Sequence, residues 1–300
     1  MSFKIVGIGE VLWDMFPTGA QMGGAPANFA WQARALGARA WAVTRVGNDD
    51  LGRQILRRYQ AHGMTPDTMQ VDDHAPTSTV TVSLAGDGVP TFTIHENVAW
   101  DRLAVTPAAL LAVRDADAVC FGSLAQRCEP ARATIQQLAA AAPPRALRVF
   151  DANLRQHYFS RQLVQQSLQL ANVLKVNDGE LAILADLLGL KGSIRRQIES
   201  LAQKYDLQAV ALTRGPDGSL LFQAGRWSDR PGEPTEVVDT VGAGDAFAAS
   251  FVMGLLRKMD LDEINALAGQ VARHVCSRAG ATPPLPEKLV RWASTGSPTP

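Results

Sequence analysis

Short apolar runs alternating with longer stretches of helical spacing constrain this chain more than any other feature. The runs cover residues 3–8, 40–46, 118–121, 147–150, 173–176 and 209–213, most of them ended by polar or glycine signals. Segments 27–36, 51–62, 131–141 and 180–188 carry apolar residues at helical spacing. That alternation predicts an α/β fold with a mainly parallel central sheet flanked by helices on both faces.

One stretch breaks the pattern. Residues 77–95, TSTVTVSLAGDGVPTFTIH, alternate polar and apolar on both sides of a Gly86-Asp87-Gly88 turn. This reads as a β-hairpin with one face to bury. It is either an ordinary edge hairpin or a flap that keeps water from a reactive group.

Composition excludes several classes of partner. With 300 residues and 46% apolar content the chain can bury a sizeable core. Lys+Arg and Asp+Glu stand at 29 each, so no net field favours nucleic acid or an anionic membrane, and a small molecule is the expected partner. Cys120, Cys128 and Cys276 are odd in number and lack metal-site spacing, which points to a reducing compartment. The opening MSFKIVGIGEV has too short an apolar stretch for a signal peptide, and no run is long enough for a bilayer. The expected location is cytoplasmic. The PPLPEKL stretch from Pro283 and the SPTP tail read as terminal packing and a frayed end.

Chemistry concentrates in DTVGAGDAFAASF, residues 239–251. Gly242, Ala243 and Gly244 precede a strongly helical stretch, 246–256, so backbone N–H groups at a helix start form a ready anion site. No Lys follows, which sets aside a Walker A loop, and the placement does not fit a dinucleotide fingerprint. Asp245 is then either a helix cap or a base positioned to take a proton from a hydroxyl that attacks phosphorus. At the other end, Asp14 in GIGEVLWDMFP and Gly23, Gly24 and Asn28 in MGGAPANFA place an acid and an amide near glycine backbone. That set suits the donors and acceptors of a sugar; the plainer reading is a loop carboxylate and a helix-start asparagine.

GGAPANFA together with DTVGAGDAF resembles the paired signatures of the ribokinase-like (PfkB-type) carbohydrate kinases. The likeness runs over nearly the whole chain. GEVLWDMFP, RVGNDDLG, FDANLR and VCSRAGATP are most similar to bacterial fructokinases. The resemblance implies a single kinase domain over residues 1–300, with a β lid from about 10–22 and 77–100. It implies that Asp245 is the catalytic base, that Gly242, Ala243 and Gly244 form the anion hole, and that Asp14, Gly23, Gly24 and Asn28 hold sugar hydroxyls. In KVNDGE, Asn177 and Glu180 match the pair that organises Mg²⁺, often through water. TRGPDG supplies Thr213, Gly215 and Gly218 for the nucleotide; by residues alone it is a plain turn. Arg155 is expected on the ligand-bearing edge of the sheet, meeting phosphate or sugar rather than a surface carboxylate, with Asp151 and Asn153 in support. Asp239 and Val241, with backbone near Cys276, Ala279 and Ala281, match a K⁺ site in the family.

One departure concerns the adenine pocket, where many relatives carry an asparagine and this chain has Gly269-Gln270; Gln270 is the substitute. The family's lid also contributes residues to the sugar, and His95, Asn97 and Trp100 lie just past the hairpin, Trp100 reading equally as hairpin core or as a sugar-stacking platform. The function implied is transfer of the γ-phosphate of ATP to a primary hydroxyl of a small sugar, fructose first, then ribose, 2-keto-3-deoxygluconate or a nucleoside. A catalytically silent sugar-binding regulator is the rival from another class, and a dinucleotide enzyme would need a fingerprint where the chain has GIGEVLWD. A homodimer through lid strands is expected, with residues 79–84 the suited strand.

Overall fold

A computed structural model describes residues 2–17, 19–84 and 90–296. Among these the strands are β1 (Lys4–Ile8), β2 (Leu12–Phe16), β3 (Gly19–Gly23), β4 (Arg39–Gly47), β5 (Met69–Asp72), β6 (Thr79–Leu84), β7 (Pro90–Ile94), β8 (Ala118–Phe121), β9 (Leu147–Asp151), β10 (Val173–Asn177), β11 (Ala209–Thr213), β12 (Ser219–Gln223) and β13 (Arg226–Arg230). The α-helices are α1 (Ala25–Ala35), α2 (Asp50–Ala61), α3 (Pro107–Arg114), α4 (Glu129–Ala141), α5 (Arg161–Leu170), α6 (Asp178–Leu188), α7 (Ile194–Tyr205), α8 (Ala243–Leu256), α9 (Leu261–Cys276) and α10 (Glu287–Thr295). None is long and apolar enough to cross a membrane.

The larger sheet has the order β13-β12-β11-β10-β9-β8-β1-β4-β5. From β11 to β5 every neighbour is parallel, and β12 and β13 return antiparallel. Its parallel strands are apolar almost throughout because helices cover both faces. Ile5 packs with Phe29, Phe251 and Leu267 on one face, and Val6 and Ile8 pack with Phe121, Leu138 and Leu184 on the other. Strand order reverses at β1, which sends the chain to β4 on one side and later receives β8 on the other. A crevice opens outside the carboxyl ends of the strands at such a reversal.

A second sheet, β3-β2-β6-β7, stands beside that edge. The alternating segment is therefore more than a lone hairpin. Val80 pairs with Ile94 and Val82 with Phe92 across β6 and β7, and β6 also runs parallel to β2. The Gly86-Asp87-Gly88 turn lies outside the described residues. β6 is thus flanked by β2 along Thr79–Thr81 and by β7 along Val80–Leu84. The far edge strand β7 is also engaged. Gln156 Nε2 donates to the Phe92 carbonyl (2.7 Å), and the Tyr158 hydroxyl donates to Glu96 Oε1 (2.8 Å) and approaches the Ile94 carbonyl (3.5 Å).

Candidate active site

α8 begins at Gly242, whose φ of 79° lies in the left-handed region. A Cβ there would stand 2.5 Å from both Cα and Cβ of Ala281, so the position needs glycine for its backbone and for its neighbour. The helix behind it is apolar all round and buried from Ala246 to Gly254, as expected of a central helix. Its first-turn amides have no intrahelical acceptors and face a cleft, which Gly242, Ala243, Gly244 and Asp245 all line.

Asp245 does not cap this helix. The N-cap is Gly242, with no side-chain cap bond, and Asp245 Oδ2 instead accepts a hydrogen bond from Asn28 Nδ2 at 2.8 Å. That bond joins the two glycine-rich signatures, since Asn28 is buried in α1. Burial pushes the Asp245 carboxyl up from its ordinary range; Lys175, the Asn28 bond and Arg155 oppose that rise. Lys175 is buried in the middle of β10 and pairs with Asp151 of β9 at 3.1 Å. Burial works against its ammonium, but the charges of Asp151, Glu180 and Asp245 around it hold it protonated.

The cleft has a volume of about 1550 Å³ and two ends. At one end are Asp14, Gly24, Asn28, Asn153 and Arg155, with an apolar wall of Leu12, Val80, Phe92 and Ile94. Gly24 enters α1 at φ 109°, and a Cβ on it would meet the Glu10 carbonyl at 2.5 Å. Gly23 does not line the cleft; Asp14 Oδ2 lies over it, 2.5 Å from where its Cβ would stand. Burial raises Asp14 to about 6, with Asp239 adding to the rise and Arg155 opposing it. Arg155 makes no ion pair among the described residues; its Nη1 donates to the Leu154 carbonyl at 3.2 Å. The surface salt-bridge alternative therefore falls.

At the other end are Thr213, Gly215, Gly218, Asn177 and Gln270, with a wall from Pro231 to Thr235. The TRGPDG segment is a short 3-10 turn over Gly215–Asp217 between β11 and β12. A Cβ on Gly269 would meet nothing within 4 Å, so the missing side chain widens the cleft beside Gln270.

The residues expected to hold metal ions have structural roles. Asn177 and Glu180 form a capping box at the start of α6. Glu180 Oε2 accepts from Asn177 N (2.9 Å) and Oε1 from Leu154 N (3.1 Å). Both oxygens being engaged by backbone, the pair fits a Mg²⁺ ion through water better than by direct ligation. No group of three or more His, Cys, Asp or Glu converges as a metal site among the described residues. Asp239 Oδ1 accepts from Val241 N and Oδ2 from Gly280 N, both at 3.0 Å. The Cys276 carbonyl accepts from Val238 and Asp239, and that of Ala281 from Gln32. These loops meet behind Gly242, rich in carbonyl oxygen, a donor set that fits a monovalent cation.

Three lid residues fall away from the site. Trp100 is fully buried beneath the Arg127 guanidinium, which lies 4.0 Å from its ring centroid; Arg127 in turn pairs with Asp101 at 2.8 Å. His95 is exposed and bonded to Thr81 (2.9 Å), and Asn97 is an exposed left-handed turn residue. None of the three lines the cleft. Glu10 and Lys175 line it, and sequence reading singled out neither. Glu10 is buried just past β1, its Oε1 accepting from Ala25 N (3.3 Å) and its Oε2 without a partner. Burial raises it to about 7.

A buried carboxylate at a glycine-built helix start stands in a cleft lined on one side by Asp14, Asn28 and Arg155 and on the other by Thr213, Gly215 and Gly218, an arrangement suited to group transfer. The chain belongs to the pfkB family of carbohydrate kinases, whose profile matches residues 14–288, and is thus a sugar phosphotransferase. It is 30% identical over 283 residues to the fructokinase of Klebsiella pneumoniae, covering 91% of each chain. The uncharacterized sugar kinase PH1459 from Pyrococcus horikoshii, solved in complex with ATP, superposes with a TM-score of 0.80 at 27% identity, covering 96% of this chain and 99% of that one. Fructokinase from Vibrio cholerae O395, solved with fructose, ADP and calcium ion, shares the fold at a TM-score of 0.80 and 23% identity, covering 96% and 98%.

Proposed function

We propose that the enzyme is an ATP-dependent kinase for a primary hydroxyl of a small neutral sugar, with fructose as the first choice. The observation that carries this reading is the Asn28–Asp245 bond, which fixes one carboxylate between the hydroxyl-binding end and the glycine-built anion cradle. The whole chain acts as one kinase domain, with the second sheet as its lid. Asp14, Gly24, Asn28 and Asn153 hold the sugar, Gly23 leaving room for the Asp14 carboxylate, and Arg155 reaches sugar or phosphate. Thr213, Gly215, Gly218, Asn177 and Gln270 receive the nucleotide.

In the transfer step the acceptor hydroxyl loses its proton to Asp245, its oxygen bonds to the γ-phosphorus, and the bond from that phosphorus to the β-γ bridging oxygen breaks, releasing ADP. The amides around Gly242–Gly244 take up charge on the phosphoryl oxygens. Asn177 and Glu180 would hold Mg²⁺ through water, which would supply neutralisation of phosphate charge. Asp239 and Val241, with backbone near Cys276, Ala279 and Ala281, would hold a K⁺ ion in the loop before α8.

Preference for a neutral sugar follows from charge. Around the sugar end, Glu10, Asp14, Asp239 and Asp245 act on one another and face the single guanidinium of Arg155. An acidic or already phosphorylated sugar meets net repulsion there, which places 2-keto-3-deoxygluconate below fructose. The fructokinase relatives support the same order. The test is ADP release with ATP, Mg²⁺ and K⁺ across fructose, ribose, tagatose, glucose, 2-keto-3-deoxygluconate and adenosine. Selective turnover of a neutral sugar is expected. Turnover of 2-keto-3-deoxygluconate above all others overturns the charge argument; sugar binding with no turnover moves the reading to a silent regulator.

A further inference from the structure

Asp245 faces a difficulty that the reading above leaves unsolved. A base must be ionised before the reaction, yet this one sits in a buried site crowded with acids. Glu10 lies past β1, Asp14 on β2, Asp151 on β9 and Glu180 on α6, with Asp239 on the loop before α8. Glu10, Asp14, Asp151 and Asp245 each interact electrostatically with one or more of the others. Against them stand two cations, Arg155 and Lys175. Arg155 is on an exposed loop, so water screens it. Lys175 is not screened: it is buried, fixed to Asp151, and its Nζ lies only 3.0 Å from where a Cβ on Gly244 would stand. The neighbouring thiol, Cys120 on β8, is buried and pushed well up, so it adds no charge.

We propose that Lys175 is a positioning residue of the transfer step, its ammonium supplying the fixed positive charge that lets Asp245 stand as a carboxylate inside the cradle. The register supports this. Lys175 and Asp151 are direct partners across the parallel β9–β10 pair, so the salt bridge anchors the ammonium at the sheet edge and aims it at the first turn of α8. Among the influences that favour an ionised Asp245, that of Lys175 ranks first, ahead of the Asn28 bond and Arg155. Glycine at 244 leaves the room the ammonium occupies.

The proposal rests on Asp245 as base, and the experiment separates the two. Wild type, Lys175→Met, Lys175→Arg, Asp151→Asn and Asp245→Asn are compared by the pH profile of kcat/KM for fructose with ATP. The Asp245 carboxyl is also titrated directly by ¹³C NMR on Asp-labelled protein, its signal assigned through Asp245→Asn. Lys175→Met is expected to move the acid limb and the Asp245 titration up by about one pH unit or more, and to cost about tenfold or more at pH 7 with partial recovery above pH 8. Lys175→Arg keeps both near wild type. Asp151→Asn, which removes a negative neighbour and leaves the ammonium, moves both down, and it carries the test if Lys175→Met does not fold. Loss of activity that is equal at every pH, with an unmoved Asp245 titration, overturns the role of Lys175. An Asp245→Asn variant with wild-type turnover overturns the base itself, whatever Lys175 does. If fructose is not turned over, the NMR titration alone decides for or against Lys175.

Discussion

Glu10 offers the most quantitative test of the site's electrostatics. Its carboxyl is fully enclosed, and burial raises it from an ordinary 4.5 to about 7, against the pull of its own and Ala25's backbone amides. A carboxyl with a raised folded pKa binds more protons folded than unfolded, so stability falls as pH rises between the two values. The ionised form then costs the fold roughly 3 kcal/mol at pH 8.5, but only about 1 kcal/mol at pH 5, where the folded carboxyl is still protonated. Glu10→Gln keeps an oxygen for the Ala25 amide and removes the charge. It should therefore stabilise the protein by about 3 kcal/mol at pH 8.5 and by about 1 kcal/mol at pH 5. Urea unfolding at both pH values reads the difference directly, with the slope checked to be unchanged. A gain of the same size at both pH values would refute the argument, because it would trace to packing or hydrogen bonding rather than to ionisation.

Other expectations follow from the same geometry. Asp245→Asn should lower kcat by about 10²-fold or more while leaving sugar affinity within a few-fold, measured by steady-state kinetics and calorimetry. Gly242→Ala combines left-handed backbone strain of about 1–2 kcal/mol with the overlap on Ala281 and should lose both stability and turnover, whereas Gly269→Ala enters open space inside α9 and should raise the melting temperature slightly through helix propensity. Asp101→Ala strands the buried Arg127 guanidinium above Trp100 and should cost about 3–5 kcal/mol in unfolding free energy. EDTA should abolish ADP release and added Mg²⁺ restore it, while replacing K⁺ with Na⁺ tests the loop behind Gly242 through kcat.

The parallel sheet was legible because its strands are buried on both sides and so read as plain apolar runs; β8 and β11 match their predicted bounds and β1 starts one residue later. The hairpin of β12 and β13 was not legible. It turns through Ala224 and Gly225, both at positive φ (48° and 81°), and alanine in the first place hides the usual Asn-Gly signal. β2 and β3 were anticipated only through the family resemblance, as the lid over about 10–22, and not from the local pattern. Trp13, Leu12 and Met22 are buried on a small second sheet whose partner, β6, comes more than fifty residues later, and local periodicity carries no trace of that pairing. In the site, glycines and Asp245 were readable because their spacing is itself the signature. Lys175 and Glu10 were not, since a lysine in a strand and a glutamate after one look like solvated positions until the topology buries them. Trp100 read equally as hairpin core or sugar platform, and burial beneath the Arg127–Asp101 pair decides for the core.

An open strand edge is a template onto which a foreign strand can grow. β7 would be such a template, lying at the outer margin of the small sheet, but its own chain reaches back and occupies it through Gln156 and Tyr158. The donors that block it belong to the loop that also carries Arg155. An extended peptide or a stray unfolded chain that tried to add itself at β7 would have to strip those contacts first, and in doing so would pull on the arginine of the active site. Strand capture at this margin is thereby opposed by the loop that carries Arg155.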